Sequence, residues 1–274
     1  MTNKKKTTIA LFGASALALG LAACGDGGDG GDSGAESELQ DSYVVVSDTS
    51  FVPFAFEEGG EFVGFDMDII NTIADRVGFE VELETTNFDG IIPGLQTGSF
   101  EIAIAGIGIT EERAEIIDYT SPYYMSGLRI AVPIDDEEIQ GVEDLEGATI
   151  ATRLGSTSAA YIEANIDGAT ANTYEQLDQA YLSVEGGSSD AILYDAPNVE
   201  YYVSTAGEGS LKVTGELFEA ENYGIAVTQG HPELVEAMND ALAEMIEDGT
   251  YSDIHQEWFG EEPAWLDDLA AQAD

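Results

Sequence analysis

The sequence is poor in basic side chains. Its 274 residues hold eight lysines and arginines against 54 aspartates and glutamates, which gives a formal net charge of −46. This charge repels polyanions, which excludes nucleic acid as a partner and disfavours an anionic membrane surface. High charge alone would predict disorder, but 44% of the residues are hydrophobic and recur with helix and strand periods. We therefore expect a folded, halophilic protein whose carboxylate surface is suited to high salt.

The sequence also lacks the patterns of common catalytic and metal sites. It has one cysteine and two isolated histidines, so it offers no cysteine–histidine ligand cluster. A glycine-rich phosphate loop and a G-x-S-x-G nucleophile elbow are both missing. Carboxylate pairs are too frequent in this acidic chain to indicate acid–base catalysis. We expect a protein that is not an enzyme and needs no metal and no cofactor.

The single cysteine, Cys24, ends an N-terminal segment with the features of a targeting sequence. Lysines at residues 4–6 precede an apolar run over residues 9–23, which at about 15 residues is short for a membrane-spanning helix and fits a signal peptide. The run ends in Leu-Ala-Ala-Cys, which resembles the lipobox of bacterial-type lipoproteins. We expect removal of residues 1–23, a lipid anchor on Cys24, and a flexible Gly-, Asp- and Ser-rich linker over residues 24–42. The alternative is a plain signal peptide with an incidental cysteine.

The rest of the chain alternates between strand and helix patterns, which predicts an α/β fold with mostly parallel sheets. Predicted strands cover residues 43–47, 79–83, 101–105, 148–152, 190–194 and 223–227. Predicted helices cover residues 66–77, 87–96, 173–184, 232–246 and 250–258, and two more begin near residue 110 and after the loop at residue 155. The pattern restarts after residue 127, which predicts two lobes with the ligand site between them. The first lobe takes residues 43–128 and 224–274, and the second takes residues 129–223.

Each arginine of so acidic a chain needs a physical reason. Arg113 lies in the first turn of a predicted helix, where the helix dipole disfavours a cation. A helix start and a guanidinium together form a carboxylate site. Arg153 precedes a loop that leads into another helix and is a second candidate to bind an anion or amide. An ion pair with a neighbouring acid is the alternative for Arg113 and Arg153, while Arg76 and Arg129 are assigned structural roles.

Two aromatic and two acidic side chains are further candidates for ligand contact. Phe51 and Phe88 lie in early loops, and core packing is their alternative role. Asp48 and Asp195 each follow a predicted buried strand directly, where a carboxylate faces a cleft and can bind an ammonium group. Because the chain has 54 acidic residues, this position alone leaves their role open.

Several long, ordered motifs resemble family 3 of the extracellular solute-binding proteins, which serve ABC importers of polar amino acids. They lie at residues 47–54 (Ser-Asp-Thr-Ser-Phe-Val-Pro-Phe), 63–68 (Val-Gly-Phe-Asp-Met-Asp), 88–95 (Phe-Asp-Gly-Ile-Ile-Pro-Gly-Leu), 106–113 (Gly-Ile-Gly-Ile-Thr-Glu-Glu-Arg), 118–124 (Asp-Tyr-Thr-Ser-Pro-Tyr-Tyr), 195–198 (Asp-Ala-Pro-Asn) and 248–251 (Asp-Gly-Thr-Tyr). The resemblance covers residues 43–260. It implies a type II periplasmic-binding-protein fold, with two lobes, a hinge of two strands near residues 127–132 and 223–227, and a ligand cleft between the lobes.

The resemblance further implies a function. It implies an extracytoplasmic, lipid-anchored monomer that delivers a polar amino acid to an ABC permease and its ATPase, with glutamine favoured and glutamate next. Two alternatives stay open: a sensory protein that acts through a receptor partner, and an enzyme like the cyclohexadienyl dehydratases that this family includes.

The resemblance also implies residue roles. Arg113 would hold the ligand α-carboxylate, helped by the backbone around Gly108 and Thr157. Asp195 and the carbonyl of Gly106 would hold the α-ammonium group.

At the other end of the ligand, Phe51 and Phe88 would flank the aliphatic stem, and Asp48 and Arg153 would contact the side-chain end. Three positions depart from the family pattern. Gly108 replaces the usual Ser or Thr, Arg153 replaces the Lys of glutamine-binding members, and Tyr194 replaces their His. The last two bear on the identity of the ligand.

Overall fold

The computed structural model describes residues 39–273. The predicted signal peptide, Cys24 and most of the predicted linker lie outside the described residues. Within residues 39–273 no helix is long and apolar enough to cross a membrane. The same part of the chain contains no group of three or more His, Cys, Asp or Glu side chains that could hold a metal ion.

The first lobe is built on a five-stranded sheet with the strand order β5-β1-β6-β13-β7. The strands are β1 (Ser42–Ser47), β5 (Glu80–Thr85), β6 (Ile102–Ala103), β7 (Asp118–Tyr119) and β13 (Ala226–Val227). The first three are parallel, and β13 runs antiparallel to both of its neighbours. A small antiparallel sheet beside it joins β2 (Ser50–Phe51), β3 (Ala55–Glu58) and β4 (Glu61–Val63).

Six helices accompany the first sheet in the described chain. They are α1 (Phe65–Val77), α2 (Ile91–Thr97), α3 (Glu111–Ala114), α7 (Pro232–Glu247), α8 (Thr250–Phe259) and α9 (Leu266–Ala273). In α1 the buried residues Ile69, Ile70 and Ile73 form one apolar face. The helix ends at Gly78, whose φ of 96° suits a glycine better than any other residue.

The second lobe is built on a sheet with the order β10-β9-β11-β8-β12. Its strands are β8 (Tyr124–Pro133), β9 (Thr149–Arg153), β10 (Thr170–Tyr174), β11 (Ala191–Asp195) and β12 (Leu211–Tyr223). Its helices are α4 (Thr157–Asn165), α5 (Leu177–Glu185) and α6 (Ala196–Ser204). Strands β9, β10 and β11 are parallel, and the long strands β8 and β12 are antiparallel. The predicted α/β class with two lobes is confirmed.

Strands β8 and β12 carry the chain between the lobes. Strand β8 follows β7 of the first sheet, and β12 is followed by β13 of the same sheet. The two strands lie side by side, with Tyr124 opposite Tyr223, and Tyr223 also bridges to Gly108. In the described chain the backbone crosses between the lobes only at these two paired strands. A few backbone torsions there can therefore change the angle between the lobes, as in a hinge.

The structure corrects three predicted elements. The helix predicted over residues 173–184 begins at Leu177, because Thr173 and Tyr174 pair with β9 and complete strand β10. The stretch 51–56, interpreted as a loop, contributes to two short strands, β2 and β3. The helix predicted over residues 87–96 begins as a 3-10 turn before α2. In the first case pairing with a distant strand decides the conformation, and local sequence carries little of that information. In the second case β2 pairs with the neighbouring strand β3.

Candidate functional site

Two acidic side chains lie where strands of opposite lobes end. Asp48 directly follows β1 of the first lobe, and Asp195 is the last residue of β11 in the second lobe. Both are almost completely buried, with 2% and 4% of their surface exposed. Buried carboxyls at strand ends require partners, so their neighbours define the candidate site.

Asp48 forms a buried ion pair with Arg153 across the two lobes. Arg153 ends β9, and its Nη1 atom lies 2.6 Å from Asp48 Oδ2. The backbone N–H of Ser50 donates to the other carboxylate oxygen at 3.2 Å. Burial raises the pKa of Asp48 above its usual value, while the charge of Arg153 opposes that rise. The ion pair that the sequence analysis kept as the alternative for Arg153 is therefore present, and its partner is the other side chain assigned to the side-chain end of the ligand.

Several buried polar atoms at this site have no hydrogen-bond partner among the described residues. They include Nε and Nη2 of Arg153 and Oδ1 of Asp195. An unpaired buried polar group costs about 1–3 kcal/mol, and more when it is charged. The site thus presents unused N–H donors on Arg153 and an unused acceptor on Asp195, which suits a molecule with a cationic donor and a separate acceptor.

Asp195 lies in an acidic, buried environment. Tyr223 donates its hydroxyl to Oδ2 at 2.5 Å, and Asp195 makes no side-chain bond to the start of α6, which it precedes. Burial raises the pKa of Asp195 well above its usual value, and the nearby charge of Glu221 raises it further. A bound ammonium group would supply the positive charge that this carboxyl lacks.

Arg113 also connects the lobes, but through carbonyl groups. Its Nη1 donates to the carbonyl of Gly108 in the first lobe at 2.9 Å, and its Nη2 donates to the carbonyl of Gly155 in the second lobe at 3.0 Å. The helix start is stabilised by Thr110, whose Oγ1 accepts from the Arg113 backbone N–H at 3.2 Å. Within residues 39–273 Arg113 forms no ion pair with a carboxylate at 4.0 Å or less, so the alternative of a simple salt bridge is wrong there.

The two surface arginines behave as the sequence predicts. Arg76 pairs with Asp248 at 2.8 Å, and Arg129 pairs with Glu200 at 2.9 Å. Both pairs are exposed on the acidic side, so they contribute little to stability. Variants of these exposed arginines can serve as controls for variants of the two arginines that lie between the lobes.

The candidate aromatic residues differ in their surroundings. Phe88 lies between the two interlobe arginines, with its ring centroid 5.9 Å from Arg113 Cζ and 5.8 Å from Arg153 Cζ. Phe51 is 1% exposed, stacks on Phe54 at 4.6 Å and meets Tyr194 edge to face at 6.1 Å. Phe51 is thus part of the aromatic core, while Phe88 joins the two guanidinium groups through cation–π contacts.

Gly106 is held by a buried carboxyl that the sequence analysis missed. The Gly106 N–H contacts Asp66 Oδ2 and the Tyr123 hydroxyl, each at 3.1 Å, and Tyr123 donates to Asp66 Oδ1 at 2.8 Å. Burial raises the pKa of Asp66 to about 7. A Cβ on Gly106 would lie 2.2 Å from the Phe51 ring, so only glycine fits. The signal for Asp66 was its place in the motif at residues 63–68.

A second missed residue, Glu221, lies among the residues expected at the ligand α-carboxylate. Thr157 donates its hydroxyl to Glu221 Oε2 at 3.1 Å. Glu221 Oε1 lies 1.7 Å from where a Cβ of Gly108 would be, so a side chain at residue 108 would displace the flexible end of Glu221. Burial raises the pKa of Glu221, and the Thr157 bond and the charge of Arg113 oppose the rise. One glutamate among 54 acidic residues carries no sequence signal of this position.

Further contacts close the cleft at its edges. Asn198 of α6 donates to the carbonyl of Val52 at 2.9 Å, and Gln176 donates to Asn87 at 2.9 Å. Each of these bonds joins one lobe to the other. The described conformation is therefore the closed one, with Asp48 paired to Arg153 and Arg113 bonded to both lobes across the cleft.

Comparison with known proteins gives one consistent family. Residues 43–261 match the model of the bacterial extracellular solute-binding proteins, family 3. The L-cystine-binding protein TcyJ of Escherichia coli (strain K12) is 31% identical over 213 residues, which is 77% of this chain and 80% of TcyJ. The ABC transporter glutamine-binding protein GlnH of Bacillus subtilis (strain 168) is 31% identical over 276 residues, which is 95% of this chain and 99% of GlnH.

A solved structure agrees with these matches. An ancestral arginine-binding protein bound to arginine has a TM-score of 0.78 and 38% sequence identity, and the match covers 81% of this chain and 100% of that one. The three proteins are named for three different amino acids. The similarity therefore does not single out one amino acid.

Proposed function

Because the chain belongs to the bacterial extracellular solute-binding proteins, family 3, we propose that it binds a polar amino acid and delivers it to an ABC importer. Glutamine is the favoured ligand and glutamate the next. The partners are the membrane permease and its ATPase. The relatives named above are solute-binding proteins rather than enzymes, which supports a binding role.

The unpaired buried atoms carry this proposal. Asp195 Oδ1 is an acceptor with no partner among residues 39–273, and Arg153 offers unused N–H donors on Nε and Nη2. An amino acid with an acceptor at the end of its side chain satisfies both, since its ammonium group donates to Asp195 and its distal oxygen accepts from Arg153. The α-carboxylate is left for Arg113, beside the start of α4 at Thr157.

The distal contact favours glutamine over basic amino acids. Arg153 has only donors, so a guanidinium or ammonium at the side-chain end would find no acceptor on it and would meet its positive charge. A glutamine amide accepts from Arg153 and still donates an N–H to the Asp48 carboxylate. A glutamate carboxylate gains the same donors but meets the charge of Asp48. The pair therefore accommodates both ligands, with glutamine bound more tightly.

Two experiments test this function. Mass spectrometry of the purified protein should find glutamine or glutamate retained in the cleft. Calorimetric titration with glutamine, glutamate, arginine, histidine and cystine should rank glutamine first and arginine low. We would run it in molar KCl, because the acidic surface is expected to repel itself at low salt. Tightest binding of arginine, or no binding of any amino acid, would show the proposal to be wrong.

We also propose that the protein is held outside the cell membrane by a lipid on Cys24. These residues lie outside the described structure, so the support for the anchor is the sequence motif at residues 21–24. A tethered binding protein stays near its permease, which raises their effective concentration. Cys24→Ser should release the protein into the medium or leave its leader uncleaved, whereas unchanged membrane association would rule out the anchor.

A further inference from the structure

Glu221 occupies a position that no part of the proposed function uses. It lies near the end of β12, the strand by which the chain returns to the first lobe. Its carboxylate accepts from Thr157 Oγ1 at 3.1 Å and packs against the Cα side of Gly108, which belongs to the other lobe. An acidic side chain therefore lies directly between the lobes.

The groups around this carboxylate are those assigned to the ligand α-carboxylate. We define the anion subsite as Arg113, Gly108 and Thr157. Thr157 donates to Glu221, Gly108 leaves the space for it, and the positive charge of Arg113 stabilises its charged form. A ligand carboxylate bound to the same groups would occupy the same space as Glu221.

Charge makes simultaneous occupation unfavourable. The charge of Glu221 already raises the pKa of the buried Asp195 carboxyl. A third carboxylate beside Glu221 would meet like charge at short range in a poorly solvated place. The ligand α-carboxylate and the Glu221 carboxylate thus exclude each other by both volume and charge.

Glu221 has space to leave the subsite. Glu221 and Thr157 also border a neighbouring cleft of about 660 Å³, whose other sides include Met125, Leu128 and Tyr161. Rotation about the side-chain bonds moves the carboxylate into this cleft while β12 keeps its pairing with β8. No change of fold is needed to free the anion subsite.

We propose that Glu221 is a tethered carboxylate that occupies the anion subsite and competes with the α-carboxylate of every ligand. The inference rests on the proposed function. It assigns Glu221 a role in setting affinity, since ligand binds only to the fraction of molecules in which the subsite is free. If about one molecule in ten has a free subsite, the apparent dissociation constant is raised about tenfold.

The test is a titration of Glu221→Gln, which keeps the size of the side chain and removes its charge. Glutamine and glutamate should both bind about tenfold more tightly than to the wild type, by the same factor. Glu216→Gln, an exposed change on the same strand away from the neighbouring cleft, is the matched control and should leave both affinities unchanged. 4-Aminobutanamide, which is glutamine without its α-carboxylate, should gain nothing from Glu221→Gln, which separates competition from a general change in charge.

Each outcome decides the proposal. If the wild type binds glutamine and Glu221→Gln alters the affinity less than twofold or weakens it, the Glu221 inference is wrong and the proposed function stands. If neither the wild type nor Glu221→Gln binds any amino acid, both the Glu221 inference and the proposed function are wrong. A wild-type crystal structure with glutamine needs no variant: it should place Glu221 in the neighbouring cleft, and a carboxylate still bonded to Thr157 beside the ligand would overturn the inference.

Discussion

The two interlobe arginines are assigned to opposite ends of the proposed ligand, and they form different bonds. At one end Arg153 is 1% exposed, pairs with Asp48 and keeps donors without partners in the described chain. At the other end Arg113 donates to carbonyls of both lobes, and the acidic groups near it are in excess. Under the proposed function, the Arg113 end holds the groups that all amino acids share, and the Arg153 end holds the side chain that distinguishes them.

The largest expected effect comes from removing Arg113. Arg113→Ala should weaken binding of every amino acid by roughly 30- to several-thousand-fold, because truncating one partner of a buried charged pair costs about 2–5 kcal/mol. The loss should be alike for glutamine, glutamate and alanine. Calorimetry measures it, with Arg129→Ala as the surface control. If Arg113→Ala binds amino acids within about threefold of the wild-type affinity, Arg113 does not hold the α-carboxylate.

Asp66 is a buried carboxyl that we assign to neither end of the ligand, so it tests folding rather than binding. Asp66 has a folded pKa of about 7, above its value in an unfolded chain. The folded state therefore holds a proton that the unfolded chain releases, so the stability that Asp66 contributes is fully present below about pH 4 and is lost as pH rises to about 7. Asp66→Asn should remove roughly 2–4 kcal/mol of that decline.

Urea titrations at several pH values measure this slope. Asp75→Asn is the matched control, since Asp75 lies on the same helix and is exposed. Equal slopes for wild type and Asp66→Asn would mean that the decline comes from the cleft carboxyls Asp48, Asp195 and Glu221 instead.

Arg153 should affect the side-chain end alone. Arg153→Met is combined with Asp48→Asn, because Asp48 would otherwise be left charged, buried and unpaired. The double variant should bind glutamine about 10- to 100-fold more weakly, the loss of hydrogen bonds to a charged group, and should bind alanine as the wild type does. Dissociation constants for glutamine and alanine give the ratio. An equal loss for both amino acids would show that the two ends act alike.

The smallest effect is expected from Asp48→Asn. Removing this charge leaves Arg153 with a net positive charge toward the ligand, which favours a carboxylate over an amide. The preference for glutamine over glutamate should fall by about three- to tenfold, the scale of one typical hydrogen bond. The ratio of the two affinities is the measurement. An unchanged ratio would place the ligand side chain away from this pair.

The periodicity of apolar residues and the scarcity of basic residues predicted much of the fold and pointed to candidate site residues. The apolar face of α1 and the alternation of strands and helices located most elements. The rarity of arginine drew attention to Arg113 and Arg153, which the structure places between the lobes. Strand β10 was missed because its pairing with β9 is set by contacts distant in sequence. The position of Glu221 could not be predicted, since its meaning comes from Gly108 in the other lobe and its residue type is common in this chain.

The crossing strand β12 has a consequence for kinetics. It supplies Tyr223, which bonds to Asp195 and bridges to Gly108, and two residues earlier it supplies Glu221. Because Gly108 belongs to the first lobe and Asp195 and Glu221 to the second, opening of the lobes bends β12 beside both carboxyls. The residence time of a ligand should follow the rate at which this strand bends, so that variants selected for tighter retention would also slow each cycle of delivery.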